Sequence, residues 1–173
     1  MDYVELHCHS YYSLLDGTSS PGDLVSRAAD LGMVALALTD HDAVYGAVPF
    51  VTAARARGIH PILGAELTLE SDYHLTLLVE HDAGWRNLCS LISRARMRAP
   101  KGQAKLAWAD LDGHTDGLIC LSGCRQGPIA SALLVWDRTA AFRRARRLRD
   151  LFGAANVWIE LQQHLRKDDA LLT

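Results

Sequence analysis

Two short segments concentrate side chains that ligate metals. Glu5-Leu6-His7-Cys8-His9-Ser10 and Thr39-Asp40-His41-Asp42 each close an apolar, strand-like run. His7 and His9 are two apart, so on a strand both project from one face and can grip one ion, with Cys8 turned the other way toward a core. A lone His-x-His is equally two hydrogen-bonded histidines. That reading weakens once Asp16, Asp40, His41 and Asp42 join at loop positions after strands. Ligands delivered from the ends of several strands are how α/β barrels assemble metal sites.

Glu66 follows Gly64-Ala65 inside an apolar run. A carboxylate there is costly to bury unless it is paired or metal-bound. A salt bridge to an arginine is the alternative, and metal is favoured. His74 precedes Leu75–Val79 and on pattern alone is equally a strand-edge histidine. Cys124, in Ser122-Gly123-Cys124, reads on pattern alone as a buried structural thiol. Imidazole, carboxylate and thiolate together suit zinc, manganese or iron better than calcium. Several histidines and a shared carboxylate point to more than one metal, and adjacent metals activate water and clamp both oxygens of a phosphoryl displacement. The residues therefore read as a multinuclear metal hydrolase acting on a phosphoester. There is no P-loop, GxGxxG or GxSxG motif.

The elements that must position these residues follow from periodicity and punctuation. Strands are expected at Tyr3–His9, Val34–Leu38, His60–Leu69, Tyr73–Val79, Leu118–Leu121 and Val157–Leu161. Helices are expected from Ser20-Pro21-Gly22-Asp23 to about Leu31, over Ala47–Arg57, Gly84–Arg98, Pro128–Leu134 and Arg138–Phe152, with another beginning at Asp168. Trp108–Leu111 reads as one short turn. The repeated βα pattern implies parallel strands with right-handed crossovers. An open doubly wound sheet is the generic alternative; ligands on many strands favour a barrel over a single switch point. A barrel of seven or eight strands would be unfinished at Thr173, so the reading is a fragment of a longer polypeptide.

The composition, 49% hydrophobic and 22% charged in 173 residues, is that of one globular domain with a real core. A net charge of −2 argues against nonspecific nucleic-acid binding by the whole surface, while leaving room for a local basic face. No apolar stretch is long enough for a membrane span and no signal peptide opens the chain, so a cytoplasmic location with four free thiols is expected. His60, His81, His114 and His164 read as non-ligands. Arg143, Arg144, Arg146, Arg147 and Arg149 read as a solvated helix face, with contact to DNA or another domain as the minority reading. The four tryptophans read as core or interface anchors.

Taken as a set, several motifs resemble the polymerase-and-histidinol-phosphatase (PHP) domain over essentially the whole chain, 1–173. They are His7-Cys8-His9, Asp16-Gly17, Thr39-Asp40-His41, Gly64-Ala65-Glu66, His74-Leu75-Thr76-Leu77-Leu78 and Leu121-Ser122-Gly123-Cys124. Leu36–Asp42, Asn87-Leu88-Cys89, Leu121–Pro128 and Glu160-Leu161-Gln162 are most similar to the form in error-prone, damage-inducible bacterial C-family DNA polymerases. The resemblance implies an α/β fold, a distorted (β/α)7 barrel that would lack its last strand in this chain. It implies up to three divalent metals, zinc, manganese or iron, held by His7, His9, Asp16, His41, Glu66, His74 and Cys124. His7, His9 and Glu66 would share one metal, Glu66 would bridge to a second held by His74 and Cys124, and Asp16 and His41 would hold a third. The family completes its site with an Asp-x-His on the last strand, and no such motif follows Glu160.

The implied parent is a DNA-directed DNA polymerase that copies damaged templates, using magnesium in its polymerase part. Its implied partners are DNA, the remaining polymerase domains, the sliding clamp and other damage-response factors, with no membrane. The domain's own chemistry would be metal-dependent phosphoester hydrolysis, in the form of 3′→5′ exonuclease action. A stand-alone phosphatase on a small phosphomonoester such as histidinol phosphate, and a non-catalytic metal-braced domain, are the competing readings.

Overall fold

The computed structural model describes residues 3–166, 169 and 172. The chain divides into two compact units, one ending at Glu66 and one beginning at Leu67. In the first, Ser20 caps α1 (Pro21–Asp30): its hydroxyl accepts from the Asp23 N–H, and the Asp23 carboxylate accepts from the Ser20 N–H at 3.1 Å. This capping box, with Pro21 as the first helical residue, explains why the helix starts where the sequence marks it. Next come β1 (Ala35–Leu38) and α2 (Ala47–Arg57), which ends at left-handed Gly58. β2 (His60–Thr68) then runs parallel to β1 and leads into the second unit. Val25, Leu36, Leu38, Phe50, Ala54 and Ile59 form the core of the first unit, with Cys8 packed against it as expected. Burial, with Glu5 and Asp40 nearby, pushes the Cys8 thiol up to about 11, which suits an inert core thiol.

The expected N-terminal strand is not a full strand. Only Glu5 pairs, opposite Leu36. The ladder fails because side chains take the backbone donors. The His7 N–H goes to the Glu5 carboxylate at 3.1 Å, and the Cys8 N–H goes to the Thr39 hydroxyl at 3.0 Å. The segment still lies along β1, since the Glu5 and Cys8 carbonyls accept from Ala37 and Thr39.

The second unit holds β3 (His74–Val79), α3 (Asp82–Arg98), β4 (Leu118–Leu121), α4 (Pro128–Leu134), α5 (Arg138–Phe152) and β5 (Val157–Trp158). β4 and β5 are parallel, whereas β3 and β4 are antiparallel, with Val79 opposite Leu118. The expectation of uniformly parallel strands is corrected there. The connection after α3 explains it: residues 99–117 bring the chain back to the end of β3, where the Glu80 N–H meets the Gly117 carbonyl at 2.9 Å. The sixth expected strand is cut to two residues, because the Glu160 N–H turns to the Ser122 hydroxyl at 2.9 Å and leaves the ladder. The helix expected at Asp168 lies outside the described residues. Among the described residues no helix is long and apolar enough to cross a membrane.

Asp110 anchors the returning connection and so helps to place β4. Its buried carboxylate accepts from Arg98 at 2.6 and 2.7 Å and from the Ala107 N–H at 2.9 Å. Burial alone would raise its pKa, but these hydrogen bonds and the charges of Arg98 and Arg94 outweigh it and hold the carboxyl below its ordinary value. A depressed carboxyl stabilises the fold above its unfolded pKa and loses that contribution as pH falls through the folded value. Asp110→Asn should therefore cost about 1–3 kcal/mol near neutral pH. In thermal melts the gap to wild type should close below about pH 4.

Candidate metal centre

Five of the expected ligands meet in the first unit. Glu66, 1% exposed, sits among three imidazoles. His7 Nε2 lies 2.6 Å from Glu66 Oε2, with His9 Nε2 4.0 Å from the same oxygen. His41 Nδ1 lies 3.2 Å from Glu66 Oε1. The other nitrogen of His41 faces Asp16 Oδ2 at 2.8 Å, and His9 Nε2 is 4.0 Å from that oxygen. The His9 and His41 rings stack at 4.4 Å, with His7 edge-on to His9 at 5.0 Å. Among the described residues of this unit two donor sets emerge, His7–His9–Glu66 and His9–Asp16–His41, each with its ligand atoms within 4.8 Å of one another. Burial, followed by the neighbouring His41 and His7, lowers the His9 pKa against the opposing pull of Glu66 and Asp16. Neutral imidazole, the form that ligates, is thereby favoured.

Asp40, grouped with these residues in the sequence, does different work. Its carboxylate is buried and accepts from the Ser10 N–H at 2.7 Å, the Ser10 hydroxyl at 2.8 Å and the Ser13 hydroxyl at 2.7 Å. The Ser13 oxygen in turn accepts from the His41 N–H at 3.1 Å and lies 3.5 Å from His9 Nδ1. Asp40 and Ser13 thus fix the segments that carry His9 and His41. Sequence reasoning missed Ser10 and Ser13; the available signal was two small polar residues inside the loop between His9 and Asp16. Asp42 adopts a left-handed φ of 47°, and its N–H bonds the Glu66 carbonyl at 2.8 Å, tying His41 to β2 through the backbone. Glu5 is likewise occupied, accepting from Tyr3 at 2.7 Å and from the His7 N–H.

The loop from His9 to Asp16 doubles back through Leu15, whose φ is 69°, and the Ser13 carbonyl accepts from both the Asp16 and Gly17 N–H groups. A non-glycine residue there stores local strain. Gly17 packs against the Ser10 carbonyl, and a Cβ on it would collide with that oxygen.

The second unit brings together the remaining two. Cys124 Sγ lies 3.7 Å from His74 Nδ1. Gly123, at φ 82°, allows this approach, and a Cβ on it would collide with the His74 carbonyl. The Gln126 carbonyl accepts from the His74 N–H at 3.1 Å, so both ends of the pair are held by one turn. His81 is exposed, His114 is half-buried, and His164 is exposed beside Gln162. Two of the arginines read as solvated are corrected. Arg144 donates to the Pro128 carbonyl at 2.7 Å and lies over Tyr73, and Arg147 lies over Trp108.

Comparison with known proteins agrees with these motifs. The profile of the PHP domain matches residues 5–164. The chain is 46% identical over 163 residues to an error-prone DNA polymerase of Symbiobacterium thermophilum, covering 85% of this chain and 15% of that protein. It is 40% identical over 178 residues to the DNA polymerase III subunit alpha of Treponema pallidum, covering 95% of this chain and 15% of that protein. The chain therefore spans about 15% of the length of these relatives. Among solved structures, a lesion-specific endonuclease from Pyrococcus furiosus aligns over 95% of this chain and 43% of its own, with a TM-score of 0.54 and 14% identity. That likeness concerns the fold, and it agrees with the expected α/β class.

Gly17 and Gly123 each permit one tight approach beside a candidate ligand. Gly17→Ala and Gly123→Ala should each lower stability by more than about 1 kcal/mol in denaturant melts, since neither collision involves a flexible side-chain end. Ser13→Ala leaves the ligands intact but frees the His41 segment. It should weaken divalent-metal binding about 10- to 100-fold by calorimetry.

Proposed function

The chain belongs to the PHP domain family, and on that premise we propose that residues 1–173 form the metal-dependent phosphoesterase-type domain of an error-prone C-family DNA polymerase. The observation that carries the chemistry is the Glu66 carboxylate, 1% exposed, with His7 and His41 at 2.6 and 3.2 Å. A buried carboxylate ringed by imidazoles is a donor set for a divalent cation, and zinc, manganese and iron all accept it. The proposed ligands are His7, His9, Asp16, His41 and Glu66 in the first unit, and His74 and Cys124 in the second. Up to three ions are proposed.

Divalent metals bound there supply activation of water and stabilisation of negative charge at phosphorus. The chain's own residues do the rest. Glu66 fixes the His7 and His41 rings through its two oxygens. His9, kept neutral by burial, presents a lone pair. Asp16, 56% exposed at its side chain, is the carboxylate that an incoming phosphoester meets from solvent. Asp40 and Ser13 hold the two loops in register while the substrate enters.

The substrate proposed is the 3′ end of DNA, shortened one nucleotide at a time. This is supported by the identity to polymerases of the C family. The parent is proposed to be a magnesium-using, cytoplasmic DNA-directed DNA polymerase that extends primers across damage. Its remaining domains, DNA, the sliding clamp and damage-response factors are its proposed partners.

The test is hydrolysis of 3′-labelled single-stranded DNA by the manganese- or zinc-loaded chain, with a small phosphomonoester alongside. The expected result is DNA shortening that EDTA and His9→Ala abolish. Glu66→Gln should reduce bound metal, measured by atomic spectroscopy, with an affinity loss of at least about 100-fold, more than an outer residue costs. Hydrolysis of the phosphomonoester with intact DNA would overturn the nuclease reading. A chain that binds no metal would overturn the centre itself.

A further inference from the structure

We propose that the outward face of α5 is a binding site for single-stranded nucleic acid, separate from the metal-ligand residues. The chain carries a net charge of −2, yet α5 alone contains six arginines and one acidic residue, Asp150. The arginines are not equivalent. Arg144 and Arg147 are spent on Pro128, Tyr73 and Trp108, and they brace the helix against its own unit. Arg138, Arg143, Arg146 and Arg149 are exposed, with Arg149 also donating to its neighbour Asp150 at 2.8 Å on the surface. Phe142 lies among them, 78% exposed, and Phe142, Arg143, Arg146 and Arg149 line one concave patch.

Helical spacing makes this a stripe. Positions 138, 142, 146 and 149 follow the four-, four- and three-residue steps of one helix face, while buried Ala140, Ala141 and Leu148 mark the inward side. At 1.5 Å per residue the stripe runs about 16 Å. Trp136, 70% exposed and held at a φ of 60°, sits just before the helix and adds a second exposed ring.

A merely solvated basic face has no use for a phenyl ring at its centre, since an exposed Phe142 gains nothing from water. An acidic protein segment would satisfy the arginines but not the rings. A duplex would satisfy the phosphate contacts while hiding its base faces. A single strand offers both, phosphates for guanidinium forks and unstacked bases for the aromatic rings. The choice of arginine at every basic position of the helix fits planar phosphate recognition and ring stacking better than lysine would.

The test is fluorescence anisotropy of a labelled twelve-residue oligothymidylate titrated with the chain across a salt series, and with a duplex of equal length. Arg143→Glu with Arg146→Glu should weaken single-strand binding at least 10-fold. It should also lower the slope of log affinity against log salt by about 1.4, the loss of two phosphate contacts. Phe142→Ala should weaken single-strand binding about 5- to 100-fold and leave duplex binding unchanged. These side chains are exposed, so the variants should melt like wild type. His9→Ala should bind as wild type does.

Three outcomes would overturn the proposal: no binding of the oligonucleotide, loss on charge reversal without loss in Phe142→Ala, or binding lost in His9→Ala but kept in the α5 variants. The second would mark a general polyanion surface. The third would place the strand at the metal ligands, leaving the proposed function standing.

Discussion

The first unit is organised around the buried carboxylate of Glu66. Taking a carboxylate out of water costs several kcal/mol unless its surroundings replace the lost solvation. Glu66 meets this with His7 at one oxygen and His41 at the other. His41 stacks on His9 at 4.4 Å, and together with burial and His7 it works against a proton on His9. His9 therefore adds little positive charge to offset the two carboxylates beside it. A divalent cation held there would supply that charge while His9 stays neutral.

The same device fixes the ligand-bearing segments in both units. Thr39 directly follows β1 and takes the Cys8 N–H; Ser122 directly follows β4 and takes the Glu160 N–H. In each case a hydroxyl just past the strand end accepts a donor that would otherwise extend a ladder. The neighbouring segment is thereby held in place but released from sheet geometry. This shortens the expected strands at Tyr3–His9 and Val157–Leu161, and it frees His7 and His9 to turn about a common centre.

These substitutions of side chain for backbone mark the boundary of what was legible in the sequence. Among the described residues, the five α-helices and β1, β2, β3 and β4 were marked by caps, glycines and apolar runs, because those signals act within a few residues. The antiparallel pairing of β3 with β4 was not legible, because it depends on how far residues 99–117 travel before returning to Glu80. The short N-terminal and C-terminal strands were overestimated because alternation reports which side chains could be buried, not which N–H groups a hydroxyl will capture. Among the polar residues, Asp40 and Asp42 are of one type and both flank His41, so type and spacing do not separate their roles. Only the placement of Ser10 and Ser13 assigns Asp40 to bracing, while His41 faces Glu66 and Asp16.

The loops carry the precision that the strands do not. Leu15 and Asp42 both take left-handed conformations beside candidate ligands, and Gly17 and Gly123 sit against the carbonyls of Ser10 and His74. Strain of this kind persists only where the surroundings over-determine the backbone. Here the surroundings are Asp40 with its three hydrogen bonds and the twin donors on the Ser13 carbonyl. In a site built this way the five side chains are gathered by the fold itself, so their ordering cost is met largely by folding. That is the condition under which a cation could be held at ligands drawn from loops, and it gives the bracing residues Asp40 and Ser13 a share in any such binding.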